Sequence, residues 1–285
     1  MAEDYIITYE ACGKVLRISP SSCVKLLAGG LRGFDSTGFD VKITPYATLN
    51  GGYPSVRRFG ERELSITAEI DASGGEGEKR RIVSMLDPTS EGVLDVNLFG
   101  VRRRISVIPC GEPVFERPVP GGAIVMTLYF VSPAVFFSDS SKKRADFYCA
   151  VPLLTFPMNF RPETGITTGL YGKTDREELN NTGDTDCGFA LTMVAHGGSV
   201  ENPSISMGDK QVKCRVTLND GDVLLIDTRR GMKNITLNGK RCFLFSRDSV
   251  FFTLPRGEST VCIRADLGGE YIDASLEYTP MYYGV

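Results

Sequence analysis

At 285 residues, with 42% hydrophobic and 24% charged side chains, the chain has the make-up of a globular protein, which excludes a disordered or fibrous one. A prior of roughly 150 residues per domain gives two domains, each able to bury a core. The net charge of −3 offers no global attraction for nucleic acid, and the 31 glycines suit a turn-rich β protein.

From the N-terminus, Met1 to Ser19 reads as extended, with Ile6, Ile7, Val15, Leu16 and Ile18 as its apolar content and Gly13 as a bend. Pro20 to Ser22 marks a turn before Val24 to Leu27, Gly29 to Gly33 a flexible junction, and Phe39 to Ile43 a second extended piece. Gly51 to Pro54 reads as a loop. Between Arg57 and Ile70, Leu64, Ile66, Ala68 and Ile70 alternate with Glu63, Ser65, Thr67 and Glu69, the period of one long half-buried strand. Ile82, Met85 and Leu86 stand at i, i+3 and i+4 with Pro88 just beyond, which predicts the single helix over Glu78 to Leu86. Val93 to Leu98 and Ile105 to Ile108 form a strand pair across Phe99-Gly100, and Ala123 to Val131 is a buried strand.

The polar run Ser138 to Lys143 is the expected linker, dividing the chain into domains 1–140 and 141–285. Beyond it, strands are expected at Phe156 to Phe160 and Phe189 to Val194, with long loops at Thr164 to Thr168, Asp175 to Asn181 and Asp184 to Asp186. Val212 to Tyr278 is the most legible stretch. Val212, Cys214, Val216 and Leu218 alternate with polar residues, Asn219-Asp220-Gly221 supplies a reversal, and Asn238-Gly239 is a strong hairpin signal. With Cys242 to Phe245, Val250 to Leu254, Val261 to Ala265 and Ile272 to Tyr278, strands recur roughly every ten residues, as in an antiparallel sandwich. No repeat relates one half to the other. The fold class is therefore mainly β, an α+β first half with one short helix followed by a β-sandwich.

Site chemistry is sparse. The eight cysteines lack a CxxC pair and read as reduced core residues of a protein made in a cytoplasm. The lone histidine, His196, precedes Gly197-Gly198 without neighbouring ligands, and Asp175, Glu177, Glu178, Asp184 and Asp186 lack the spacing of a calcium loop. Arg102-Arg103-Arg104 has no aromatic platform beside it and reads as a solvated strand end or a subunit contact. No phosphate loop, dinucleotide fingerprint or nucleophile elbow is present, so no catalytic, metal or cofactor residue is named. Without a secretory signal, Asn180-Asn181-Thr182 and Asn234-Ile235-Thr236 are expected to be chance glycosylation patterns, and Ala123 to Phe137 is too short and interrupted to span a bilayer.

Three stretches together resemble the distal tail protein family of long non-contractile tailed phages, the siphovirus tail component proteins. They are Leu31-Arg32-Gly33 through Arg58 and Arg62 to Ile70; Glu112 to Phe115 with Ala123 to Pro133; and Glu201 to the C-terminus. The last is the most specific, with Asn202, Pro203, Gly221, Asp222, Asp227, Thr228, Gly231, Asn238, Gly239, Phe252, Gly257 and the closing Tyr282 to Val285 in order. Singly these are turn residues, and their order over the whole stretch carries the match. Glu258-Ser259 replaces the family's usual asparagine, a departure expected in a loop.

The resemblance implies a structural protein of the virion, made in the host cytoplasm and placed at the tip of the tail. Its first domain would close into a hexameric ring that joins the tail tube protein to tail-tip or baseplate proteins, including a tail-associated lysin or receptor-binding protein. DNA would transit the lumen, and no cofactor, membrane anchor or catalysis is implied. The second domain would be a galectin-like sandwich. Arg58 and Arg62, among alternating charges, are the candidate ring-interface residues. A carbohydrate-binding adhesion module is the alternative, though the chain has no tryptophan to stack on a sugar. A cell-wall hydrolase is a third reading, without a named residue.

Overall fold

A computed structural model describes residues 4–72, 75–147, 149–152, 169–172 and 175–285. Two compact units result, Met1–Ser140 with Met281–Val285, and Ser141–Pro280.

The first unit opens on a hairpin of β1 (Tyr5–Ala11) and β2 (Lys14–Ile18), turning through Cys12 and Gly13, both at positive φ. There follow β3 (Val24–Arg32), β4 (Phe39–Pro45), β5 (Gly52–Phe59), β6 (Arg62–Ile70), the helix α1 (Gly75–Val83), β7 (Gly92–Leu98), β8 (Val101–Pro109), β9 (Val114–Glu116), β10 (Ile124–Ser132) and β11 (Phe137–Asp139). The main path of the sheet is antiparallel, in the order β2-β1-β7-β8-β10-β6-β3. Period-two patterning fixes the register: Leu64, Ile66, Ala68 and Ile70 of β6 stand opposite Phe130, Leu128, Met126 and Ile124 of β10, and all eight are buried. Tyr9 of β1 joins the same core, its ring 4.9 Å from that of Phe130.

Several expectations shift here. The helix starts and ends three residues earlier than its apolar spacing suggests, because the chain past Val83 tightens into short turns, with Met85 N–H to Ile82 O (2.9 Å) and Leu86 N–H to Val83 O (3.2 Å). Met85 is nonetheless buried and Leu86 packs on the core, so the periodicity marks the correct face. The stretch Arg57 to Ile70 is two strands, broken where the Gly60 N–H donates to Gly38 O (2.7 Å). Tyr53 and Pro54, expected in a loop, lie in β5. Gly29 to Arg32 is not a loose junction but part of β3, bulged between Leu26 and Leu31. Gly33 does require glycine: its φ is 80°, and a Cβ there would sit 2.0 Å from Glu63 O.

The second unit comprises β12 (Lys143–Asp146), β13 (Cys149–Pro152), β14 (Gly169–Gly172), β15 (Arg176–Asn181), β16 (Phe189–Ala195), β17 (Val200–Glu201), β18 (Ser204–Met207), β19 (Lys210–Lys213), β20 (Thr217–Leu218), β21 (Val223–Asp227), β22 (Asn234–Leu237), β23 (Lys240–Arg241), β24 (Gly257–Arg264) and β25 (Ile272–Tyr278). One sheet runs β12-β25-β16-β21-β22-β23 and another β15-β24-β18-β19. Alternate residues of each are buried, Leu191, Met193, Leu224 and Ile226 on the first and Ile205, Val212, Val261 and Ile263 on the second, the pattern of a β-sandwich.

It is not a simple meander. The reversals at Asn219 to Gly221 and at Gly268-Gly269 do not pair the strands they connect: β20 pairs with β17, β21 with β16 and β22, β24 with β15 and β18, and β25 with β12 and β16. Cys242 to Phe245 and Val250 to Leu254, expected as strands, are irregular, with the isolated bridges Cys214–Phe245 and Cys187–Leu254 in place of a ladder. Conversely, Arg176–Asn181 is strand rather than loop, and Glu258 and Ser259 pair with Asn180 and Leu179 instead of lying in a loop. The expected strand at Phe156 to Phe160 and the loop at Thr164 to Thr168 lie outside the described residues.

The polar run read as a linker is tied down at both ends. Ser138 and Asp139 pair with Arg104 and Arg103, and Lys143 pairs with Tyr278. A last strand, β26 (Met281–Tyr282), pairs with β11, and Val285 N–H donates to Phe34 O (3.1 Å). The span 141–285 expected for the second domain therefore loses its final five residues to the first unit.

The seven cysteines whose side chains are described are free. Burial pushes the thiols of Cys187 and Cys214 up to about 12, whereas Cys12 and Cys23 are exposed. Iodoacetamide at neutral pH should label Cys12 and Cys23 in the folded protein and leave Cys187 and Cys214 untouched. The melting temperature should be the same with and without reductant, and a marked fall on reduction would reveal a structural disulfide.

Candidate assembly surface

The most heavily constrained side chain of the first unit is Arg62, at the start of β6. It is fully buried, and the described residues offer it no carboxylate. Its guanidinium instead donates to three carbonyls: Val135 O (2.7 Å), Gly33 O (2.7 Å) and Tyr283 O. The Phe137 ring lies 4.8 Å from its central carbon. Burial lowers its pKa below the ordinary arginine value. A side chain enclosed by its own chain is not available to a neighbour, so Arg62 is corrected from an interface residue to an internal clamp.

Arg58 is exposed, but its Nε donates to Asp40 Oδ2 at 2.7 Å across β4 and β5, so its charge is matched within the hairpin. These two strands pair only with each other. Apolar side chains are exposed along them: Phe39 (70%), Val41, Ile43 (67%), Leu49 (71%) at the tip, and Tyr53. The base is fixed by rings, with Phe59 5.6 Å from Phe39, 5.0 Å from Phe136 and 5.0 Å from Tyr283. An isolated two-stranded hairpin is marginal in water, and such an apolar surface marks a place where another molecule packs.

In the second unit some of the expected motif residues, Gly221, Asp222, Asn238 and Gly239 and then Asp227 and Thr228, lie at the two ends of β21. At one end, Asn238 (φ 50°) and Gly239 (φ 75°) make the turn from β22 to β23, and the Asn238 Oδ1 accepts from Val223 N–H at 2.9 Å. Asn238 Nδ2 donates to Asp222 Oδ1 (2.8 Å) and Asn219 N–H to Asp222 Oδ2 (2.8 Å), while the Gly221 N–H donates to Ala195 O (2.8 Å). At the other end Asp227 accepts from Arg229 through its backbone N–H (3.0 Å) and side chain, and Thr228 Oγ1 accepts from Phe189 N–H at 2.9 Å. Phe252 is buried with its ring 5.3 Å from Phe189, and Gly231 and Gly257 occupy positive-φ turns. Asn202 (φ 51°) donates to Asp266 at 2.9 Å, and Pro203 O accepts from Cys214 N–H. All of this is turn and strand-end construction. His196 lies apart from any ligand set, and no cluster of potential metal ligands occurs among the described residues. What sequence reasoning missed is the exposed hairpin; its signal was Phe39, Val41 and Ile43 alternating with no matching core partner.

The siphovirus-type tail component, C-terminal domain family matches residues 182–282. No curated protein matches the chain at significant similarity. Among solved structures, the Dit protein of phage SPP1, described as a paradigm of hub adsorption apparatus in phages infecting Gram-positive bacteria, superposes with a TM-score of 0.68. Identity is 13%, over 97% of this chain and 98% of that one. A chain of the phage P2 baseplate in its activated conformation with calcium gives a TM-score of 0.50 at 9% identity, covering 98% of both. The chain is thus mainly β with a sandwich second unit, shares its fold with the Dit structure, and carries the tail component domain's pattern over residues 182–282. The family match rests on residues 182–282, and the likeness to the Dit structure is one of fold over the whole chain.

Replacing Arg62 by Met keeps the bulk but strands three carbonyls. At about 1–3 kcal/mol for each buried group left unsatisfied, the variant should lose on the order of 3 kcal/mol or more in urea unfolding. A loss under about 1 kcal/mol would mean that water takes over the guanidinium's bonds.

A second expectation concerns acid. Hydrogen bonds from Asn238 and Asn219 hold the Asp222 carboxyl below the usual range; at Asp227 burial pushes upward but the bonds and charge of Arg229 outweigh it. A carboxyl depressed on folding adds stability that is complete above its unfolded value of about 3.9 and is lost as pH falls through the folded one. The melting temperature should therefore drop on acidification below about pH 4. An Asp222→Asn/Asp227→Asn variant should show a shallower drop, and an equal slope would remove these carboxylates as the cause.

Proposed function

We propose that the chain is a tail hub: six copies of the first unit close into a ring joining the tail tube to the tail-tip or baseplate proteins, with the lumen open to DNA. It acts as a structural component of the virion tail, without catalysis. The fold of SPP1 Dit and the tail component family of the second unit support this reading. The observation that carries it is the β4–β5 hairpin, which displays apolar side chains that nothing in its own strand pair covers. A hairpin of one copy laid on the body of the next is a heterologous contact, and such a contact repeats until it closes. The contact is apolar at its centre, in place of the charge pairing expected at Arg58 and Arg62. The carbohydrate reading finds no support at Phe252, which is 3% exposed and packed on Phe189.

Light scattering and negative-stain microscopy of the full chain should show six-fold rings. An Ile43→Asp/Leu49→Asp variant should run as a monomer with an unchanged melting temperature, since both side chains lie outside the core. A monomeric wild type, or rings that persist in the variant, would refute the hairpin as the ring contact.

A further inference from the structure

The second unit carries an exposed apolar patch that its motif turns do not use. Phe243 (76% exposed), Leu244 (62%), Phe245 (39%) and Val250 (53%) stand on the irregular segment between β23 and β24. The segment is nevertheless held in place. Arg215 N–H donates to Leu244 O (2.7 Å), Ser246 N–H to Lys213 O (2.8 Å) and Val250 N–H to Gln211 O (2.8 Å). The Phe245 ring rests against Phe251 at 6.3 Å. Side chains displayed on a fixed backbone bind without the ordering cost of a loose loop.

The charges around the patch are mostly positive. Lys240 and Arg241 form β23 immediately before the segment, Arg247 lies within it and Arg215 on the chain bonded to it; all four are exposed, and none makes an ion pair among the described residues. Asp248 is the one acid between Thr236 and Gly257. This local excess stands out on a chain whose net charge is −3. Aromatic anchors beside arginines are the composition of interface hot spots, and an unmatched cationic rim selects its partner by sign.

We infer that this patch docks an acidic polypeptide segment, one whose aromatic or aliphatic side chains pack on Phe243 and Leu244 while flanking carboxylates meet Arg241, Arg247 and Arg215. The inference deepens the hub reading by assigning a partner-binding surface to the second unit. It does not involve the hairpin, so the two can fail separately.

The test uses the full-length protein and a short fluorescein-labelled peptide of alternating Glu with Phe and Leu. One control peptide carries Lys for Glu, another Ser for Phe and Leu, and phosphatidylglycerol vesicles report on anionic lipid. Fluorescence anisotropy should show the Glu/Phe/Leu peptide binding at least about tenfold more tightly than either control. Phe243→Ser/Leu244→Ser should abolish that binding, and Arg241→Glu/Arg247→Glu should reverse the preference toward the Lys peptide. Both variants should keep the wild-type melting temperature and oligomeric state. No preference for the Glu/Phe/Leu peptide, retention of it in the Phe243→Ser/Leu244→Ser protein, or binding of vesicles in its place would overturn the proposal. Rings that fail to form while peptide binding persists would refute the hub reading alone.

Discussion

The first unit depends on a cation placed where no anion answers it. Arg62 ties together the end of β3 at Gly33, the approach to β11 at Val135, and the C-terminal segment at Tyr283. These three carbonyls lie far apart in sequence, and only a planar, multi-donor side chain meets all of them at once; lysine would satisfy fewer. The requirement propagates. Gly33, whose carbonyl the clamp holds, must be glycine because its φ is 80° and a Cβ there would meet Glu63 O. Tyr283, held by the clamp, completes the ring cluster with Phe59 and Phe136 at the root of the hairpin. The exposed arm of the molecule is thus rooted in its most buried charge.

In the second unit the organising contacts are weaker and more numerous. Thr228, Asp227, Asp222 and Asn238 each satisfy backbone groups at an end of β21, the strand that lies between β16 and β22. Because β24 and β25 belong to different sheets, the chain between them must cross the sandwich, and Gly268 sits at positive φ with Ser199 O only 1.9 Å from where its Cβ would be. The recurring glycines and asparagines of this half serve such backbone geometry rather than any ligand chemistry.

The strand alternation of β6, β7, β10, β16 and β25 was legible because one face of each is dry, and period two then leaves a single reading. Pairing was less so. The turn at Gly268-Gly269 has hairpin chemistry, yet whether the chain returns to the same sheet depends on which core it must cover, a long-range property. Arg62 shows the limit most clearly. In sequence it is one of several charges beside Glu61 and Glu63, and its burial follows from carbonyls contributed by Gly33, Val135 and Tyr283, which no local pattern announces. Val250-Phe251-Phe252 looked like a strand because it is apolar, but only Phe252 turns inward, and Val250 is held by a single bond to Gln211.

Electrostatics separates the two exposed apolar surfaces. Around Phe243 the cations are unmatched, so two copies of that patch would repel one another, and an isologous contact there is disfavoured. On the hairpin, Arg58 is matched by Asp40, and Lys42 and Arg57 leave a modest positive excess. In the same unit Glu61, just before β6, and Glu63, within it, are both exposed. A head-to-tail contact brings unlike surfaces together, so a positive arm and a negative face on one unit favour it, whereas a two-fold contact of arm on arm would set like charges opposite. The distribution of charge thus supports self-association through the first unit and hetero-association through the second.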